Sequence, residues 1–490
     1  MRSRVQLVRG ALAATIALGA LAVAHAASAT VPLAPLSLAD RVVRLTPGGL
    51  ATWAIERFQH AALWLLAGGV GAALVVAGAL LAWLVARTRA PTLVAAGGFG
   101  ALVALADALD PVPARAVAQL AVAALGGLLY GAVVGSPAAR AGPDPLRREL
   151  LRVGGTAAAG VVAGAALGRI ASALSPASHA TIAAAGGERA PDRRLPRIPG
   201  LSPEVTSVAD HYVVDIDLQD PIVDAAGWQL EVGGLVDRPM TLGFEELQRR
   251  FALVDEHATL TCISNEVGGP LVGSSAWTGV RLRDVLAAAR PRAGAVALRV
   301  ECADGYSAGI PLTGARHPSA LVALGQDGET LSRAHGFPCR LRVPALYGML
   351  NPKWVRSIEL VDRPYLGYWA QQGWSPTAVV RTESRIDTPR SARVGQPTWI
   401  AGVAWAGIRG IAAVEASTDG GRTWSHAVLQ PPRSPWAWTQ WAWRWTPRRP
   451  GRYELACRAT DGTGRGQDSA PRRPHPSGAS GYHRIAVDVT

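Results

Sequence analysis

Five apolar stretches crowd the first 175 residues of this 490-residue chain, at residues 7–27, 61–86, 91–109, 116–134 and 153–174. Each is close to the roughly 20 residues a helix needs to cross the hydrocarbon of a bilayer, so this part is expected to form transmembrane α-helices. Charge separates it from the rest. Residues 1–200 hold 18 Arg, no Lys and 8 acidic side chains, a net of +10, which leaves +3 of the total +13 for everything after Gly200. Basic residues scattered between apolar helices fit the positive-inside rule better than a nucleic-acid surface, so no nucleic-acid partner is expected.

The arginines also orient the spans. Arg2, Arg4 and Arg9 precede the first, Arg87 and Arg89 separate the second from the third, and Arg140, Arg147, Arg148 and Arg152 precede the fifth. With these clusters cytoplasmic, the acidic turn at 107–110 faces outward and the chain after Leu174 emerges outside the cell membrane. Ala24, Ala26, Ala27 and Ala29 offer small-residue cleavage sites, so the first stretch also reads as a signal peptide. The short segment before the next span favours an uncleaved helix. The run Arg147-Arg148-Glu149-Leu150-Leu151 resembles a twin-arginine export signal inside the chain, although positive-inside arginines produce the same pattern. Only His25, His60 and His179 lie in or near the spans, all close to their ends, so a membrane haem relay is not expected.

Residues 176–200 are rich in Ala, Gly, Pro and Arg without apolar periodicity and read as a flexible tether. Beyond it, strands are expected at 228–232, 258–262, 297–302, 339–343 and 355–361, with helices at 244–251 and 282–290, a mixed α+β domain over 201–376. From about Thr377 helical signals vanish. Strands at 399–405 and 411–417, a hairpin turn at Asp419-Gly420-Gly421 and the alternating Trp441, Trp443 and Trp445 predict an all-β sandwich of immunoglobulin-like type over 377–490.

The α+β domain carries the candidate chemistry. The chain has no G-x-S-x-G elbow, H-E-x-x-H zinc helix or phosphate loop, and its four cysteines, Cys262, Cys302, Cys339 and Cys457, form no C-x-x-C pair. Three segments remain. In Leu260-Thr261-Cys262-Ile263-Ser264-Asn265 a cysteine ends a strand and opens into small residues, where a thiolate can reach a metal. Residues 305–312 form a loop and strand around Gly305-Tyr306. The stretch His335-Gly336-Phe337-Pro338-Cys339-Arg340 through Lys353-Trp354 sets a His, an Arg and a Lys at strand ends able to grip a phosphate or pterin. Lys353 is the only lysine among 49 cationic side chains, so a compact ammonium is specifically wanted there.

These segments, in this order and spacing, resemble the molybdopterin domain of the sulfite oxidase family, and the tail resembles that family's Ig-like dimerisation domain. The resemblance implies a molybdenum-molybdopterin cofactor with Cys262 as metal ligand and catalytic residue, His335, Arg340 and Lys353 holding the pterin and its phosphate, and Asp210, His211 and Tyr212 lining the pocket. A cysteine thiolate beside the pterin dithiolene supplies the soft sulfur donors that molybdenum redox chemistry requires. Two features depart from sulfite-oxidising relatives. Glu266 and Val267 follow Asn265 where those relatives carry arginine, and counting from Trp369 places Trp374 where they have a tyrosine, with Tyr365 and Tyr368 out of register.

The expectation is therefore a multi-domain chain: a transmembrane anchor of about five helices over 1–175, a linker over 176–200, a sulfite-oxidase-type molybdopterin domain over 201–376 and an Ig-like dimerisation domain over 377–490. The resemblance implies oxygen-atom transfer outside the cytoplasm on a small sulfur- or nitrogen-containing substrate, as sulfite-oxidase-like oxidation or S-/N-oxide reduction. Membrane lipid, a separate cytochrome or quinone-linked electron partner and a second copy of the chain are the expected partners. The alternative is a cofactor-free, membrane-tethered binding or scaffold protein that retains the fold.

Overall fold

The computed structural model describes residues 2–46, 50, 54, 57–58, 61–88, 90–109, 116–135, 145–174, 181–182, 192 and 194–490, without the side chains of 2–3, 116, 145–150 and 173–174. The chain divides into two compact units, Met1–Ala177 with Asp215–Ile222, and Ser178–Val214 with Val223–Thr490.

The first unit is helical: α1 (Arg2–Ala27), α2 (Ala34–Leu45), α3 (Ala61–Thr88), α4 (Thr92–Ala108), α5 (Ala116–Val134) and α6 (Pro145–Leu174). Its centre is made of small side chains, with Ala13, Ala17, Ala20 and Ala24 of α1 all buried, so neighbouring backbones approach closely, as in membrane bundles. Larger groups fill the remainder: Phe99 stacks on Tyr130 at 4.5 Å, and the Tyr130 hydroxyl donates to the Gly78 carbonyl. Among the described residues four stretches, Arg4–Ala27, Ala61–Thr88, Val117–Val134 and Leu151–Ser172, are long and apolar enough to cross a membrane. The expected third span is a helix of 17 residues, about 26 Å at 1.5 Å per residue, at the lower end of the length that crosses a bilayer. The unexpected element is α2. It begins with Pro35 in its first turn, buries Leu36, Ala39 and Asp40, and pairs Arg44 with Asp217 at 2.5 Å, while Asp40 accepts from the Leu218 amide. Arg89, Asp110, Arg140, His60 and His179 lie outside the described residues, as do the side chains of Arg2, Arg147 and Arg148.

The second unit starts with β1 (Gln229–Gly234), β2 (Met240–Gly243), α7 (Phe244–Arg250), β3 (Leu253–Thr261), β4 (Val272–Arg281), α8 (Leu282–Ala289), β5 (Ala297–Cys302), β6 (Ser307–Pro311), β7 (Leu321–Gln326), β8 (Glu329–Thr330), β9 (Arg340–Arg342) and β10 (Val355–Val361). Glu245 and Glu246 open α7 and Arg249 and Arg250 close it, each matching the helix dipole. Two sheets result, one ordered β2-β1-β10-β5-β6 and one β3-β4-β7-β8 with β9 on β7. In the second, Leu253 pairs with Val280 and Thr261 with Val272, so the intervening residues 262–271 form the loop at one end of that hairpin. Ala258, Leu260, Trp277, Leu321, Ala323 and Phe337 pack together on this sheet.

From Glu383 onward the chain is β-rich: β11 (Glu383–Thr388), β12 (Ser391–Ala392), β13 (Thr398–Trp405), β14 (Ile411–Ser417), β15 (Ser425–His426), β16 (Val428–Leu429), β17 (Thr439–Trp445), β18 (Gly451–Asp461) and β19 (His483–Val489). The sheets β11-β13-β17-β16 and β12-β19-β18-β14-β15 enclose an apolar core that includes Ile400, Val414, Trp441, Trp445, Leu455 and Val487. The alternating tryptophans of β17 thus point into packing. The end of the expected tether does not hang free: Leu195 and Ile198 are buried against Ala401 and Ala442, because these two apolar side chains recover burial energy on the outer face of β13 and β17.

Candidate functional site

Cys262 is the first residue beyond β3, and its amide donates to the Leu271 carbonyl at 3.0 Å, closing the loop across the hairpin. Its side chain is buried, with Sγ 3.0 Å from the Ser264 hydroxyl. The turn Gly348-Met349-Leu350 lies directly on it: a Cβ at Gly348 would stand 2.7 Å from the Tyr212 hydroxyl oxygen and 3.8 Å from the Cys262 Cα. Only a residue without a side chain lets this turn and Tyr212 close over the cysteine.

His211 and His335 meet edge to face at 5.4 Å, and Trp277 of β4 packs on His211 at 5.7 Å. Gly273 permits this, since a Cβ there would come within 2.8 Å of the His211 ring. Burial pushes His211 down to about 3 and His335 down to about 4, with the neighbouring guanidinium of Arg340 acting in the same direction. Both imidazoles are therefore neutral at pH 7. The His335 Nε2 lies 3.0 Å from the Val208 carbonyl, which places its proton there.

Arg340 is buried over the Trp277 ring at 5.0 Å and donates to the carbonyls of His335 and Asn351, each at 3.1 Å. Lys353 donates to the Ala334 carbonyl at 2.7 Å and lies 4.3 Å from the centre of the Trp354 ring. The structure thus gathers His211, Tyr212, Cys262, His335, Arg340 and Lys353 around the end of β3. It does not bring in Asp210, which is exposed and accepts from the Ser207 hydroxyl at 2.6 Å.

Four further participants lie in or beside the three segments but receive no role from the sequence. Trp277 forms the floor, in a strand that its flanking glycines disguise as loop. Asn351 fixes the covering turn, donating to the carbonyls of Leu346 and Tyr347 while its Oδ1 accepts from the Val343 amide. Arg342 is buried and donates to the Thr259 carbonyl. Tyr306, at the junction of the expected loop and strand of residues 305–312, is buried with its hydroxyl donating to the Met349 carbonyl at 2.6 Å. Burial holds that phenol protonated well above its ordinary range, with negative charge at Cys302, Asp304 and Cys262 adding to the effect. Trp374 is buried edge to face against Trp369 at 6.4 Å and His475 at 5.1 Å.

A buried thiol thus opens the 262–271 loop on the sheet that also carries the buried Trp277 and Arg340, with the two neutral imidazoles packed on or near them. Residues 217–369 match the family described as oxidoreductase molybdopterin binding domain. An uncharacterized oxidoreductase, YuiH, of Bacillus subtilis is 33% identical over 153 residues, covering 31% of this chain and 74% of that protein. Sulfite oxidase of Gallus gallus is 30% identical over 292 residues, 49% of this chain and 63% of that protein. The sulfane dehydrogenase SoxCD of Paracoccus pantotrophus shares the fold, with a TM-score of 0.52 and 23% identity over 62% of this chain and 88% of that one. The chain belongs to the molybdopterin-dependent oxidoreductases of the sulfite oxidase family.

The residues present fit that family's cofactor. His211 Nε2, Thr261 Oγ1, Asn265 Nδ2 and Arg342 Nε are all buried without a hydrogen-bond partner. Buried polar atoms rarely stay unsatisfied, and Thr261 and Asn265 adjoin a thiol of the soft kind that molybdenum prefers.

Proposed function

We propose that this chain is a membrane-anchored molybdenum oxidoreductase that transfers an oxygen atom to or from a small sulfur- or nitrogen-containing substrate outside the cytoplasm. The observation that carries the reading is that Thr261 and Asn265, on either side of the buried Cys262, each hold a buried polar atom without a partner. Cys262 holds the metal, His211, Tyr212, His335, Arg340 and Lys353 hold the pterin and its phosphate, and Asp210 steadies the turn that presents His211. When bound, the cofactor supplies two-electron oxygen-atom chemistry. The protein's part is to exclude water, fix the thiolate and keep both imidazoles neutral as hydrogen-bonding groups rather than charges.

The substrate reading rests on the surroundings of the turn that covers Cys262. A cleft beside Tyr306 is lined by Met349, Leu350, Tyr365, Trp369 and Pro376 and by no charged side chain. Glu266, the second residue beyond Ser264, is exposed and negative. Both features favour a neutral S- or N-oxide over an anion such as sulfite. Helices α1 and α3 to α6 anchor the chain, with the arginine asymmetry supporting an outer location for the site, export in the folded state by Arg147-Arg148, and a separate one-electron carrier as redox partner. The C-terminal sheets serve as an Ig-like dimerisation domain in this reading.

Purified holoenzyme, assayed with sulfite plus a one-electron acceptor and with alkyl sulfoxides or amine oxides plus a reduced viologen, tests it. Turnover of the neutral oxides with little on sulfite is expected. Turnover of sulfite alone overturns the substrate reading, and no turnover of either class by molybdenum-loaded protein overturns the activity.

A further inference from the structure

Arg340 and Arg342 stand two apart on β9, so both side chains leave the same face of the sheet. Both are almost fully buried, at 4% and 1% exposure. Arg342 donates to the Thr259 carbonyl at 2.6 Å and to Asn351 Oδ1 at 3.4 Å, both neutral acceptors, and its Nε donor is buried without a partner. Among the described residues no carboxylate lies within ion-pair distance of it. Glu256, the acid whose charge reaches it, is committed to Arg281 at 3.0 Å. Burial pushes the Arg342 guanidinium down to about 9, and repulsion from Arg340 adds to the effect.

Two guanidinium groups side by side in a closed interior are unfavourable unless an anion joins them. A purely structural tie between Thr259 and Asn351 has no need of charge, and polar neutral side chains make such ties at lower cost. Arg342 also sits with the right neighbours: Thr259 is three residues before Cys262, and Asn351 carries the carbonyl that holds Arg340. We infer that Arg342 is a cofactor-binding residue, the second of a cation pair that receives the phosphate monoester of the pterin cofactor together with Arg340. The inference rests on the molybdenum reading above and extends it to a residue that the 335–354 stretch contains but to which the sequence assigns no role.

Full-length protein in detergent, prepared with cofactor and from cells that make no pterin cofactor, provides the test in the wild type, Arg342→Met and Arg342→Lys. Two readouts are compared: the melting temperature of each form, and the rate at which pterin and molybdenum are lost on dilution. Arg342→Met is expected to leave the cofactor-free protein as stable as wild type or more so, and to speed cofactor loss about tenfold or more, the size of one charge-assisted hydrogen bond. Arg342→Lys keeps the charge and is expected to retain cofactor within about threefold of wild type. A structural tie would instead lower the melting of loaded and cofactor-free forms equally with the loss rate unchanged, and that result overturns the assignment. If Arg342→Met does not accumulate, Arg342→Lys decides: retention within about threefold of wild type with the cofactor-free form as stable as wild type supports the charge role, and equal destabilisation of both forms with an unchanged loss rate contradicts it. Wild-type protein devoid of molybdenum and pterin overturns the molybdenum reading itself, whereas loaded wild type beside an equally retentive Arg342→Met overturns only the role of Arg342.

Discussion

The Tyr347 hydroxyl donates to a carboxylate oxygen of Glu383 at 3.1 Å, joining the turn that covers Cys262 to the first strand of the C-terminal sheets. Burial pushes the Glu383 carboxyl up to about 8, so it is protonated at pH 7 in the folded protein. Its ordinary value is 4.5. The folded state therefore keeps a proton that the unfolded chain releases, and this contribution to stability is full below about pH 4.5 and lost as pH rises to about 8. Glu383→Gln keeps an acceptor for Tyr347 but cannot titrate. Denaturant unfolding across this range is expected to show the wild type losing stability relative to Glu383→Gln as pH rises; parallel curves would refute the assignment.

Three histidines, His211 and His335 buried and His483 half-buried, act at the acid side. Burial pushes His211 down to about 3 and His335 and His483 down to about 4, against an ordinary 6.5. Here the unfolded chain takes up protons first, so the stability these groups contribute is present above pH 6.5 and lost as pH falls through that window toward 4 and below. Net proton uptake on unfolding near pH 5 is expected. His335→Gln retains a donor for the Val208 carbonyl and should reduce that uptake, measured by calorimetry in buffers of different ionisation enthalpy.

Trp277 should carry a large share of the site's rigidity. It is fully buried, packs on His211 and beneath Arg340, and its indole donates to the Ala258 carbonyl at 3.2 Å. Trp277→Ala is expected to cost about 3–5 kcal/mol in unfolding free energy. Trp277→Phe, which keeps an aromatic face for the guanidinium, should cost less. Equal losses in the two variants would show that ring packing under Arg340 contributes nothing beyond filled volume.

Much of the arrangement was legible in advance because it rests on local periodicity and punctuation. The strands at β1, β5 and β10, the helices α7 and α8, and the tryptophan alternation in β17 follow from side-chain patterns that tertiary contacts reinforce. Strand β4 was hidden, since Gly268, Gly269 and Gly273 mimic loop composition; Gly273 is there to admit the His211 ring, a contact 62 residues away in the chain. Helix α2 was hidden by its shortness beside long apolar spans. The tether's end was read as free because Leu195 and Ile198 are isolated apolar residues whose partners lie more than 200 positions later.

The site divides in the same way. Cys262, His335, Arg340 and Lys353 stand in recognisable sequence segments, while the contacts that Arg342, Asn351, Trp277 and Tyr306 make are announced by no spacing. Asn351 in particular holds Val343, Leu346 and Tyr347 at once, a role defined only by the turn it closes.

The most direct test of the account is the molybdenum and pterin content of purified full-length protein beside its Cys262→Ser variant. The wild type should hold about one molybdenum per chain, with oxidised pterin fluorescence after denaturation, and a sulfur-rich metal signature by X-ray absorption. In Cys262→Ser one sulfur donor should disappear from that signature and turnover should be lost, while the fold persists. Wild-type protein carrying neither molybdenum nor pterin, or a variant identical to it in metal coordination and activity, would contradict the account.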